Sequence, residues 1–158
     1  MPMRQELIHK RLIEEGRKLL SMFGALPPQQ RDLVVYRDER TWTVKDVLAH
    51  QVSAERGYLA LIDDLLAGGE GTPKDFSIDG YNAAEVATMQ DISWEELVEQ
   101  FRIARADTVA LAARLTSDQL DRLGRHPFLG IATVEDILQL LYRHNMMHMR
   151  DVRRSLGE

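Results

Sequence analysis

The stretch Thr133–Val152, TVEDILQLLYRHNMMHMRDV, decides the fold. Within it Val134, Ile137, Leu141, His144, His148 and Val152 recur at steps of three and four, which is one face of an α-helix. Thr133 with Asp136 three residues on marks the helix start. Two members of the apolar stripe are histidines. Positions i and i+4 lie on one helix face about 6 Å apart along the axis. Two imidazoles at that spacing can hold one metal ion.

Working outward, three more segments share this period. The first helix is expected over Arg4–Phe23, with Ile8, Leu12, Leu19 and Phe23 as its stripe and Gly16 allowing close approach. Gly24 ends it, and Pro27-Pro28 prevent continuation. The second starts at Thr43, whose pairing with Asp46 resembles a capping box, and carries Val47, His50, Ala54, Tyr58, Leu61 and Leu65 to a stop at Gly68-Gly69. The third starts at Ser93, boxed with Glu96, and carries Leu97, Phe101, Ala104, Thr108, Leu111 and Leu115.

Between these lie connections. Gln29–Trp42 is expected as a loop or short helical turn, and Ser117–Gly130 as a connection broken by Pro127 and Gly130. Glu70–Ile92 is the longest irregular stretch, with one short helix expected over Asn82–Met89. A loop of that length often forms the lid or wall of a site. No strand signal competes, because alternation never persists and β-branched residues are scattered. The expected fold is all-α: one domain over residues 1–158, a four-helix bundle with a long loop between helices two and three.

Composition narrows the function. The chain has 158 residues, 44% hydrophobic and 28% charged, with a formal net charge of −5. Its basic residues are spread among acids, so nucleic-acid binding has no electrostatic support. No apolar run is long enough to cross a bilayer and the N-terminus is charged, so no membrane role and a cytoplasmic location are expected. There is no cysteine, which excludes disulfides, thiolate ligands and a cysteine nucleophile. Any thiol chemistry must use a thiol from outside.

His50, His144 and His148 form the candidate metal site. All three lie on apolar stripes, so they point inward, and buried ring nitrogens need partners that a metal can satisfy together. The residues around His50 are small (Ala49, Ser53, Ala54, Gly57) and leave room for an ion and a ligand. Inward histidines bonded only to backbone carbonyls are the plainer alternative. Asp151, three residues after His148, is either an acceptor that fixes an imidazole tautomer or a surface charge paired with Arg150 or Arg154. Ser53, Tyr58, Tyr81, Asn82 and Tyr142 are candidate pocket groups. Glu55, five residues past His50, points elsewhere on its helix, and His9 and His126 read as incidental.

The run Trp42-Thr43-Val44-Lys45-Asp46-Val47-Leu48-Ala49-His50, followed by His144-x-x-x-His148 on a final helix, resembles the DinB/YfiT-like superfamily of metalloenzymes. Asp79-Gly80-Tyr81-Asn82 and His126-Pro127-Phe128-Leu129-Gly130 look like features of its maleylpyruvate-isomerase-like branch. The resemblance covers nearly the whole chain. It implies a four-helix bundle, a divalent metal on His50, His144 and His148, and a homodimer. It also implies thiol-dependent transfer or isomerisation of a small-molecule substrate with bacillithiol, mycothiol or glutathione. Zinc or nickel is the metal expected, with manganese or iron as alternatives. In one departure, Gln51-Val52-Ser53-Ala54 stands where many relatives carry an aromatic residue. Two other readings stay open: a metal-dependent hydrolase, and a non-catalytic helical dimer that binds metal or a small ligand.

Overall fold

The computed structural model describes residues 3–158. Four long helices carry the fold: α1 (Arg4–Ala25), α2 (Val44–Leu66), α4 (Trp94–Ala112) and α6 (Val134–Ser155). Two short ones join them, α3 (Ile78–Thr88) and α5 (Ser117–Leu120). The long helices run around the bundle in the order α1, α4, α2, α6, so that α2 and α6 are neighbours. Among the described residues no helix is long and apolar enough to cross a membrane.

Two helix starts follow the sequence in full, while at the third Ser93 accepts from the Glu96 N–H but Glu96 does not return the bond. Thr43 and Thr133 each accept from the backbone N–H three residues on, and Asp46 and Asp136 return the bond to the cap. Each box satisfies two amides that the first helical turn leaves open.

Strands are present where none was expected. β1 (Val34–Tyr36) pairs antiparallel with β2 (Trp42–Thr43), and β3 (Leu123–His126) with β4 (Gly130–Thr133). Each hairpin runs directly into the N-cap of a bundle helix, α2 or α6. Strands of two to four residues cannot display a period; they form because a neighbouring strand and a helix face complete their hydrogen bonds. The helix expected at Asn82–Met89 begins four residues earlier, because Ser77 caps it by accepting from the Gly80 N–H.

The loop after α2 is fastened to the second hairpin. Thr72 N–H donates to Arg125 O (2.8 Å), and Arg125 N–H donates to Glu70 O (2.9 Å). Gly71, between them, has φ +95°, and a Cβ there would lie 2.5 Å from Arg125 O. Glycine alone fits both the backbone angle and the contact.

Two apolar clusters fill the bundle. One holds Leu12, Ile62, Leu111 and Leu141; the other holds Leu19, Val52, Phe101 and Met149. Along every long helix the switch from one cluster to the other falls at a buried polar level: Glu15 on α1, Glu55 on α2, Arg105 on α4 and Asn145 on α6. The histidines of α2 and α6 stand beside this level.

Candidate metal centre

His50 sits near the start of α2, and His144 and His148 sit one turn apart on α6. His144 Nε2 lies 3.0 Å from His50 Nε2 and 2.9 Å from His148 Nε2. The ring planes stand nearly perpendicular to one another, with centroids 4.3 to 5.0 Å apart. Burial pushes each of the three imidazoles down to about 3, with another histidine of the trio as the second cause. All three rings are therefore neutral at physiological pH, the form that ligates metals.

The β1–β2 hairpin brings a partner to the back of the trio. Tyr36 Oη donates to Asp151 Oδ2 at 2.6 Å and stands 2.8 Å from His148 Nδ1. With its own proton committed to Asp151, the phenol oxygen accepts from His148 Nδ1–H. Burial and Asp151 hold the phenol above its usual range, so it stays neutral. The chain fixes the His148 tautomer and leaves a bare lone pair on Nε2, facing the other two rings. Asp151 reaches the imidazole only through Tyr36, and its other oxygen pairs with Arg150 at 3.6 Å; Tyr36 was absent from the site residues singled out in the sequence. Trp42 of β2 packs against His50 with centroids 5.0 Å apart.

The donor set fits a divalent ion. Three neutral imidazoles, one with Nε2 already a bare acceptor, cannot satisfy one another at these distances. Nitrogens about 2.0–2.1 Å from a tetrahedral zinc lie roughly 3.3 Å apart, a few tenths from the separations here. Among the described residues, the buried side-chain polar atoms without a partner are His50 Nδ1, Gln51 Nε2, Ser53 Oγ and His126 Nε2. His50 and Ser53 lie on the cavity side of α2, whereas Gln51 faces the bundle interior, where its Oε1 accepts from Asn145. Buried polar atoms are normally paired, so the His50 ring and the Ser53 hydroxyl leave room for a ligand or water on the cavity side.

His50 and His144 open onto a mostly apolar cavity of about 750 Å³. Its walls come from the loop after α2 (Pro73, Phe76), from α3 and from the tip of the β3–β4 hairpin (Pro127, Phe128). Ser53, Tyr58, Tyr81 and Asn82 line it. Tyr142 does not. Two residues before His144 it is turned about 200° around the helix, so it packs in the core under the Arg11 guanidinium. A larger groove of about 990 Å³ between α1 and the C-terminal end of α6 contains none of the three histidines.

His126 is not incidental. Its Nδ1 accepts from the backbone N–H of both Phe128 and Leu129, each at 3.0 Å, which puts the ring proton on buried Nε2. Burial lowers it to about 4. The Tyr58 ring lies 5.2 Å from His126 and 6.2 Å from His144. His9 stays on α1, half-buried and outside the trio.

The family model of the DinB superfamily matches residues 11–152. No curated protein sequence matches the chain. Solved structures do. YfiT from Bacillus subtilis, described as "a probable metal-dependent hydrolase with an unusual four-helix bundle topology", is 22% identical over 96% of this chain and 85% of its own, with a TM-score of 0.72. The mycothiol-dependent maleylpyruvate isomerase is 14% identical over 96% of this chain, with a TM-score of 0.78, but the match spans only 61% of that longer protein. The colibactin self-resistance protein ClbS, solved in complex with a dsDNA, is 15% identical over 97% of this chain and 94% of its own, with a TM-score of 0.73. At these identities the three share a fold with this chain.

Proposed function

The chain belongs to the DinB superfamily, and we propose that it is a metal-dependent enzyme in which a low-molecular-weight thiol reacts with a small electrophile. His50, His144 and His148 hold the divalent metal. The observation that carries this reading is the convergence of three neutral Nε2 atoms at the edge of a cavity of about 750 Å³, large enough for a thiol and a second molecule. When bound, the metal supplies positive charge that lowers the pKa of a thiol beside it.

The residues of the chain do the rest. Tyr36 and Asp151 hold His148 in one tautomer. Phe76, Tyr81 and Phe128 line the cavity and offer an apolar surface to a small electrophile. The thiol gives its proton to solvent, and its sulfur forms a bond to the electrophilic carbon. In transfer, the leaving group departs with the bonding pair. In isomerisation, the sulfur adds across a double bond, the resulting single bond rotates, and C–S cleavage returns the thiol unchanged. The chain has no cysteine of its own, so the thiol is a second substrate. The exposed apolar residues Leu123, Phe128 and Ile131 of the β3–β4 hairpin suit the homodimer that the family resemblance implies.

Hydrolysis is the second reading, favoured by the description of YfiT. Two polar groups of α2, Tyr58 and Glu55, weaken it. Burial pushes the Tyr58 phenol up to about 12, and two hydrogen bonds from Arg105 occupy the Glu55 carboxylate. Neither is suited to act as a general base near neutral pH.

The test loads the protein with zinc or nickel and offers 1-chloro-2,4-dinitrobenzene with glutathione, bacillithiol or mycothiol, beside p-nitrophenyl acetate without thiol. Thiol-dependent turnover that disappears in a folded His144→Ala variant supports the proposal. Ester cleavage without thiol favours hydrolysis. No turnover by the metal-loaded protein favours a binding role.

A further inference from the structure

Arg105 is 4% exposed and Glu55 1%, in the middle of the bundle. The Arg105 Nε donates to Glu55 Oε2 at 2.7 Å and its Nη2 to Glu55 Oε1 at 2.9 Å. Its Nη1 donates to the Leu12 carbonyl of α1 at 2.9 Å, and its Nη2 also donates to Asn145 Oδ1 of α6. Asn145 Nδ2 then donates to Gln51 Oε1 of α2 at 2.6 Å. One guanidinium on α4 thereby joins all four long helices. Gly16 makes room for it, since a Cβ there would lie 2.8 Å from Arg105 Cγ.

Such a network is a poor way to gain stability. Two charges taken out of water cost several kcal/mol each, and apolar residues of similar volume in their place are often neutral or stabilising. What it offers instead is a fixed register. Its location says register of what: Gln51 directly follows His50 and Asn145 directly follows His144. Consecutive residues point about 100° apart on a helix, so each histidine faces the trio while the next side chain faces the interior. The Gln51–Asn145 bond therefore sets the spacing and relative height of α2 and α6 at the level where the Nε2 atoms must meet. Apolar contacts in the two clusters above and below are non-directional, whereas the hydrogen bonds of this level require particular distances and angles.

Resting on the metal-site reading, we propose that Arg105, with Glu55, Asn145 and Gln51, is a positioning network that sets the geometry and affinity of the metal centre. It touches neither metal nor substrate. Its function is metal grip, not fold stability, and the two can be separated.

The experiment compares the wild-type chain with Arg105→Met/Glu55→Met, which removes both charges together, and with Gln51→Met, which cuts only the α2–α6 bond. Each is measured metal-free for Tm and helical circular dichroism, titrated with zinc against a competing chelator, and loaded with cobalt(II) for its visible spectrum. The expected result is a double variant that stays helical with an unlowered Tm, binds zinc ~10- to 100-fold more weakly and shows altered cobalt bands. Gln51→Met shows the same two metal effects with smaller size, and decides the matter if the double variant fails to fold. Wild-type zinc affinity and cobalt bands in the folded variants would overturn the positioning role and leave the network a scaffold. A wild-type chain that binds neither metal would instead overturn the metal reading on which the proposal rests.

Discussion

The Tyr36 hydroxyl lies 2.8 Å from His148 Nδ1, although 112 residues separate the two in sequence. A short hairpin ahead of α2 thus completes the environment of a histidine on the last helix. Tyr36→Phe removes the acceptor and leaves a partly buried N–H unpaired, while the ring still packs. We expect zinc affinity to fall at least about tenfold with helical content unchanged, as read by chelator competition and circular dichroism. An unchanged affinity would show that the tautomer needs no help from the hairpin.

The trio and His126 also set a pH dependence. In the folded, metal-free protein His50, His144 and His148 titrate at about 3 and His126 at about 4, all lowered from 6.5 first by burial. Between those values the unfolded chain binds more protons than the folded one, so stability rises with pH in this window. The stability is fully present above pH 6.5 and is lost as pH falls through 6 and 5 toward 4. Each proton taken up changes stability by about 1.4 kcal/mol per pH unit. Thermal melts of chelator-treated protein should show Tm falling steeply over that range. His50→Leu should flatten the slope by about one proton. A Tm that does not fall with pH would mean that the rings are not buried neutral.

Gly124 of β3 faces the core, where a Cβ would come within 1.9 Å of Leu65 Cδ2. Leu65 is itself fully buried and has little space to retreat. Gly124→Ala should destabilise the protein by about 1–3 kcal/mol through overpacking, measured by urea unfolding. A loss under half a kcal/mol would show that the hairpin rides freely over α2.

His126 accepts two backbone amides at the hairpin tip. In His126→Leu those donors lose their acceptor at a cost of about 1–3 kcal/mol. Hydrogen exchange should quicken at Phe128 and Leu129 before it does in α2 or α6. Unchanged protection at both amides would mean that another group holds the tip.

Much of this was legible in the chain. The four bundle helices announce themselves by stripes and by the Thr43–Asp46 and Thr133–Asp136 boxes, because both are local and periodic. The trio was visible for the same reason: each histidine occupies a stripe position. Tyr36 was not, since its strand is three residues long and its partners are remote. Arg105 follows the stripe residue Phe101 by four, and Glu55 follows the buried Val52 by three. Glu55 was set aside for lying five residues past His50 and Arg105 was not singled out, and only the fold reveals that each buries the other. A charged residue at an inward position was the one clue available. His126 was passed over because a loop histidine has no period to betray its burial.

The bridge through Gly71 has a consequence for traffic. Because the loop after α2 and the β3–β4 hairpin share backbone bonds on either side of that glycine, the two jambs of the doorway are one frame. Neither can swing aside alone. Widening the entrance means breaking the frame at Arg125 or moving side chains within it, and Phe128, 77% exposed at the rim, is the freest of these. On this side of the cavity the backbone is braced, and the Phe128 ring is the part left free to yield.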